Sequence, residues 1–275
     1  MQIGIILKNE DLLKEERFTR MYGQLEDAGY ELYMINSKAD LRPETDLVLS
    51  VGGDGTFLTA AQTVADVGIP ILGVNFGRLG FLSDNSPEEV LPALLEGDFS
   101  VEYRTMLNAT VKGENARRDI GLLPYAVNEV ALHRSGGAVL GVNVCVDGKP
   151  LPTYWADGLL VATSSGSTAY SLSVGGPICM PATKVLIIAP ISPHNLNVRP
   201  LVVPNTTSVD ISLVSRDPSV TLSMDNRTVE IDPSWTVHIG MAQFSLKRIT
   251  LARSNFVKAL NDKLFWGEDI RNSYF

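Results

Sequence analysis

The stretch DLVLSVGGDGTFLTAA at 46–61 sets an aspartate, Asp54, among Gly52, Gly53 and Gly55, between an apolar run and a helix-compatible one. A strand-to-helix turn of this kind suits phosphate, because glycines let a ligand approach the backbone and a helix N-terminus presents unpaired N–H groups. A carboxylate in its middle repels an anion, so its presence there needs a reason other than phosphate binding. The spacing matches neither GxxxxGK[ST] nor GxGxxG. A tight turn with Asp54 as a helix cap is the competing reading. A second glycine turn, NFGRLGFLSD at 75–84, follows the next apolar run, and its Arg78 is read either as a phosphate contact or as a solvated loop residue.

Two further stretches carry hydrogen-bonding groups where a core strand would not. In VNEV at 127–130, Asn128 and Glu129 are adjacent inside an apolar run. On a regular strand they face opposite sides, so one enters the core unless the strand ends or kinks there. Asn donates and accepts whereas ionised Glu only accepts, a pair suited to ribose hydroxyls or an amide. WADGLLVATSSGSTAYSLSVGGP at 155–177 gathers hydroxyls after an apolar strand, bracketed by Asp157 and Gly175-Gly176. It is too polar for a core strand and too rich in glycine for a stable helix, so it reads as a loop around a polyhydroxylated or phosphorylated ligand. Serine hydrolysis is disfavoured, because no GxSxG elbow surrounds Ser167.

The elements that must position these residues fall into two patterns. Up to about residue 100, short apolar runs (IGIIL, YELYMI, DLVLSV, IPILGVN) alternate with helical spacing, which predicts a parallel sheet covered on both faces. PEEVLPALLEG at 87–97 has Pro87 suited to a first turn and Gly97 to an end. From 101 to 254 the runs are short and alternating, with Asp147-Gly148 a hairpin turn and Asp225-Asn226 a weaker one, which predicts an all-β, sandwich-like domain. NFVKALNDKLFWGEDIRNSYF then reads as a helix and tail returning to the first domain. The expected division is 1–100 with about 255–275 as an α/β nucleotide-binding domain, and 101–254 as the β-rich domain.

Composition narrows the partners. With 275 residues, a net charge of -8 and a pI near 5.0, the chain has no global attraction for nucleic acid or an anionic membrane, which points to a small ligand. Cys145 and Cys179 lack zinc spacing, and His133, His194 and His238 are scattered. With no long apolar segment and no signal-peptide layout, the expectation is a soluble, cytoplasmic protein.

VGGDGTFL, NFGRLGFLSD, VNEV, ADGLLVATSSGSTAYSLSVGGP, APISPHNLNVRPLVVP and KLFWGEDIRN, in this order, resemble the NAD kinase family. Gly-Gly-Asp-Gly is shared with lipid kinases and phosphofructokinases; Gly-Ser-Thr-Ala-Tyr-Ser is the stretch that points to NAD kinase. The resemblance implies transfer of the γ-phosphoryl of ATP, with Mg²⁺ or another divalent cation, to the adenosine-ribose 2′-hydroxyl of NAD. It also implies a β-rich NAD-binding domain and a homo-oligomer, a dimer or tetramer. Carried over by position, Asp54 is the proton acceptor, with Gly55 beside it. Asn128 and Glu129 hold NAD, Asp157 is a ligand-site carboxylate, and Thr168, Ala169, Tyr170, Ser171, Leu172 and Ser173 form the Thr-Ala-Tyr-Ser segment. Three positions depart from the family: Thr163-Ser164-Ser165 replaces Thr-Pro-Thr, Trp155 stands where a basic residue is common, and Arg227 replaces a glutamine-like contact. The competing functions are a lipid or sugar kinase of the wider Gly-Gly-Asp-Gly group, and a non-catalytic NAD(P)-binding regulator.

Overall fold

The computed structural model describes residues 1–77, 80–114, 121–252 and 254–267. Two compact units divide the chain, Met1–Tyr103 with Lys247–Phe275, and Arg104–Leu246. Among the described residues, no helix is long and apolar enough to cross a membrane.

In the first unit, β1 (Gln2–Leu7), β2 (Glu31–Met34), β3 (Thr45–Val51) and β4 (Ile71–Val74) form a parallel sheet in the order β4-β3-β1-β2. Their runs are apolar almost without alternation because both faces are covered. Helix α1 (Glu16–Asp27) buries Phe18, Met21 and Leu25, a three- and four-residue spacing that forms one stripe. With Val90 and Ala93 of α3 (Pro87–Glu96), this stripe closes a core over Ile3, Ile5, Leu47, Leu49 and Leu72. Pro87 opens α3, where the Glu89 carboxylate takes the Ser86 N–H at 2.7 Å, and Gly97 ends it in the left-handed region at φ 68°. Helix α2 (Asp54–Val64) packs on β3, β4 and β1, with Phe57, Ala60, Ala61 and Val64 fully buried.

The second unit contains β6 to β16 and parts of two long strands. In chain order the remaining elements are β5 (Phe99–Lys112), β6 (Tyr125–Ala126), β7 (Glu129–Arg134), β8 (Leu140–Val146), β9 (Lys149–Pro150), β10 (Tyr154–Ala156), β11 (Gly158–Thr163), α4 (Tyr170–Ser173), β12 (Val185–Ile191), β13 (Leu201–Pro204), β14 (Val209–Val214), β15 (Val220–Met224), β16 (Arg227–Ile231), β17 (Thr236–Leu251) and α5 (Phe256–Leu264). One antiparallel sheet runs β13-β12-β11-β7-β15-β16. Val130, Leu132, Leu159, Val161, Leu186 and Ile188 project from it into a core shared with β8, β14 and β17. Leu132 is fully buried there, so Leu132→Ala would cost about 2–5 kcal/mol. The alternate residues on the opposite face include Ala131, Ala162 and Ala189, small enough to admit Tyr170, Val174 and Cys179. Asp147-Gly148 turns β8 into β9, both residues at positive φ (47° and 76°), and Asp225 (φ 52°) begins the turn from β15 to β16.

The chain re-enters the first unit within β17, at Lys247, because Arg248 and Ile249 pair in parallel with Ile71 and Leu72. The terminal helix α5 then packs in that unit, with Phe256 against Phe81 at 5.8 Å between ring centroids. The α/β domain with its parallel sheet, the β-rich sandwich and the returning tail are therefore the observed architecture.

Candidate active site

Asp54 stands at the carboxyl end of β3 as the first residue of α2, and Gly53, not Asp54, is the N-cap. The cap reading is replaced by a long-range one. Oδ2 accepts the Phe81 N–H at 2.9 Å, and Oδ1 accepts those of Leu82 and Ser83, both at 3.0 Å. The second glycine turn thus closes on this carboxylate, and Lys263 of α5 stands 3.6 Å from Oδ2. A carboxylate offers roughly four lone-pair positions, so one remains for an outside hydroxyl. The close approach needs Gly80, where a Cβ would lie 2.0 Å from Asp54 Oδ1. Buried Arg248 fixes the same turn by donating to the Leu82 carbonyl at 3.1 Å and pairing with Asp84.

The three glycines around Asp54 divide by role. Gly52 has φ 155°, and a Cβ there would sit 2.3 Å from Thr56 Oγ1, so chain geometry requires it. Gly53 and Gly55 face open space. They line a cavity of about 440 Å³ with Leu7, Lys8, Thr56 and Thr59. Arg78 lies outside the described residues.

In the second unit the chain kinks at Val127-Asn128, between β6 and β7, which lets both Asn128 (8% exposed) and Glu129 (7% exposed) turn inward. The kink is held by another carboxylate, that of Asp225. It accepts N–H groups from Val127 at 2.9 Å, Asn128 at 2.8 Å and Glu129 at 3.3 Å. Arg227 pins the approach by donating to the carbonyls of Leu123 and Tyr125. Two of its guanidinium nitrogens are thus engaged within the chain.

Glu129 overturns one expectation. Burial, and then the negative charge of Asp225, push its carboxyl up to about 8, against the Tyr170 N–H that favours ionisation. Burial raises Asp225 as well, against its three N–H donors and Arg227, which favour the charged form. Ionisation of Glu129 is thus disfavoured near neutral pH. Its Oε2 has no hydrogen-bond partner among the described residues. A neutral Glu129 can donate as well as accept, which ionised glutamate cannot.

The hydroxyl-rich stretch is not a loop. Ser165–Thr168 forms a 3₁₀ turn and Tyr170–Ser173 a single α-helical turn. Much of its polarity is internal: Thr163 Oγ1 donates to Val127 O at 2.6 Å, Ser164 Oγ to Pro181 O at 3.0 Å, and Ser167 Oγ to Ser164 O at 2.7 Å. Gly166 lies against the kink, since a Cβ there would be 2.2 Å from Asn128 O. Thr168, Ala169 and Tyr170 are half-buried, Ser171 is buried and Ser173 exposed. The Tyr170 ring stacks on His133 at 5.6 Å and 15°, a partner that the scattered-histidine reading missed.

Asp157 pairs with Arg134 at 2.7 Å and, with Glu129, raises the Tyr170 phenol after burial has done so. Asn128, Glu129, Asp157 and the Tyr170 turn are thus gathered within the second unit. Trp155 is 41% exposed, its backbone N–H donated to the Asn195 side-chain oxygen at 2.9 Å. Asp225 was visible in the sequence only as a turn residue and Lys263 only as part of KLFWGEDIRN.

Comparison with known proteins agrees along most of the chain. Residues 36–99 match the family model of the ATP-NAD kinase N-terminal domain and residues 127–251 that of the ATP-NAD kinase C-terminal domain. The chain is 37% identical over 268 residues to an NAD kinase of Flavobacterium psychrophilum, covering 96% of this chain and 90% of that one. It is 41% identical over 271 residues to an NAD kinase of Porphyromonas gingivalis, covering 90% and 92%. Yeast NADH kinase, solved in complex with NADH, shares the fold with a TM-score of 0.88 at 23% identity, covering 98% of this chain and 89% of that one. An NAD kinase from Archaeoglobus fulgidus, solved with ATP, gives 0.78 at 26% identity, covering 96% and 99%. The chain belongs to the NAD kinase family.

Proposed function

We propose that this chain transfers the γ-phosphoryl of ATP to the 2′-hydroxyl of the adenosine ribose of NAD, with Asp54 accepting the hydroxyl proton. The observation that carries the mechanism is the Asp54 carboxylate, fixed by three backbone N–H groups while still one-third exposed. Phosphoryl transfer asks for positioning and charge stabilisation more than for covalent help. A carboxylate held in this way loses no time or entropy finding the hydroxyl. The charge conflict in the glycine turn is resolved, because the three N–H dipoles and Lys263 offset the negative charge. The ATP phosphates take the cavity beside Gly53 and Gly55, where the α2 N-terminus and Lys8 favour anions.

In this reading NAD is held by Asn128, neutral Glu129, Asp157 and the turn from Thr168 to Ser173. Neutral Glu129 donates to a ribose hydroxyl or to the amide oxygen. No cluster of three or more His, Cys, Asp or Glu side chains suited to a metal occurs among the described residues. A divalent cation would in this reading be carried by the ATP polyphosphate oxygens. The resemblance also brings a homo-oligomer, a dimer or tetramer, and a cytoplasmic location into the proposal; light scattering on the purified protein tests the oligomer.

The activity is tested by offering γ-labelled ATP with Mg²⁺ and, in parallel, NAD, diacylglycerol, a sphingoid base and fructose 6-phosphate. Label is expected on NAD alone. Label on a lipid or sugar instead would replace the proposal with another kinase, and calorimetric NAD binding without any transfer would make the chain a regulator.

A further inference from the structure

Lys263 sits in the last turn of α5, two helical turns beyond Phe256, so both project from one face of the helix. Both meet the same ring. Phe256 packs on Phe81 at 5.8 Å, and the Lys263 ammonium lies 4.3 Å from the Phe81 ring centroid, a cation–π seat. Phe81 is also the residue whose N–H donates to Asp54 Oδ2, the oxygen that Lys263 approaches to 3.6 Å. One aromatic residue thus fixes the carboxylate by its backbone and the ammonium by its ring.

The ammonium is not consumed by this seat. Its side chain is 27% exposed, and it makes no hydrogen bond among the described residues, so its three N–H donors are available to an anion. We propose that Lys263 is a further catalytic residue that meets the transferring phosphoryl group at Asp54; this rests on the kinase reading above. As the 2′-oxygen forms its bond to the γ-phosphorus, the bond from that phosphorus to the β–γ bridging oxygen breaks. The bridging oxygen leaves with the electron pair on ADP, and the hydroxyl proton passes to Asp54. Charge is then spread over the three equatorial phosphoryl oxygens, and a fixed ammonium donating to one of them stabilises that arrangement more than the ground state. A lysine suits this role, since it is a compact point charge whose donors rotate to follow the oxygen.

The test uses the full-length protein with Lys263→Gln and Lys263→Arg, measuring kcat, KM for NAD and thermal midpoint. Lys263→Gln is expected to lower kcat by about 10²-fold, the usual loss when one donor to a transition-state oxyanion is removed. KM for NAD should stay near that of the wild type, and Lys263→Arg should recover part of kcat. A purely structural lysine would instead lower the thermal midpoint while kcat held. Full kcat in Lys263→Gln, or an arginine variant as slow as the glutamine one, overturns the assignment. Failure of the wild-type protein to phosphorylate NAD would sink the kinase reading itself; product from the wild type with an unimpaired Lys263→Gln sinks only this inference.

Discussion

Two turns in this chain are built by the same device and lead to different chemistry. In the first unit Asp54 gathers the N–H groups of Phe81, Leu82 and Ser83; in the second, Asp225 gathers those of Val127, Asn128 and Glu129. Each carboxylate fastens a distant loop, and each approach needs a glycine nearby, Gly80 or Gly166, because a side chain would collide with the turn. They differ in what stands beside the anchor. Asp54 has an ammonium and solvent beside it and keeps a lone pair free for a substrate. Asp225 has a buried carboxyl next to it, Glu129, which burial and then the Asp225 charge push up to about 8. In the proposed mechanism the first anchor is itself the reactive group, whereas the second shapes the surroundings of a residue proposed to bind NAD.

The largest contrast is expected in turnover. Asp54→Asn should lower kcat by about 10² to 10⁴-fold, the range for loss of a general base, with NAD affinity largely kept in calorimetry. Asp225→Asn should act the other way round, raising KM for NAD and leaving more of kcat. Both substitutions set an amide NH₂ against a backbone N–H, so each should also cost about 1–3 kcal/mol in denaturant unfolding. Equal kcat losses in the two variants would erase the distinction between reactive and supporting anchors.

The glycines give a smaller effect. Gly80→Ala and Gly166→Ala each force an atom into occupied space, within 2.0 Å of Asp54 Oδ1 and 2.2 Å of Asn128 O. Overpacking of this kind costs about 1–3 kcal/mol. Gly80→Ala should lower kcat because it displaces the base, and Gly166→Ala should raise KM for NAD because it displaces the kink. Steady-state kinetics on the two variants would show whether the losses separate in this way.

The last contrast is a pH dependence. Between an unfolded value near 4.5 and about 8, folded Glu129 retains a proton that the unfolded chain has released, so its contribution makes stability fall as pH rises across that window and level off above it. Glu129→Gln removes that dependence. Its thermal midpoint, relative to the wild type, should therefore improve from pH 5 to pH 8. A difference between the two proteins that is flat with pH would mean that Glu129 is ionised in the folded state.

Local signals in the sequence carried much of the fold. Short, mainly apolar runs marked β1 to β4, Pro87 and Gly97 marked the ends of α3, and Asp147-Gly148 marked its hairpin, because each depends on neighbours within a few residues. The anchors could not be read in this way. The partners of Asp54 lie 27, 28 and 29 residues away and those of Asp225 lie 96, 97 and 98 away, so only the folded chain shows that they meet. The same distance hid the raised carboxyl of Glu129, which depends on its burial and on Asp225. It also misled the reading of the hydroxyl-rich stretch, because Ser164 and Ser167 bond to Pro181 and Cys179, across a turn that no periodicity marks.

Where the new phosphate goes tests the central claim most directly. The wild-type protein is incubated with NAD, ATP and Mg²⁺, and the product is examined by phosphorus–proton correlation NMR. The account predicts one new phosphorus resonance, coupled to the 2′-proton of the adenosine ribose. A phosphate on any other hydroxyl, or no phosphorylated dinucleotide at all, would contradict it.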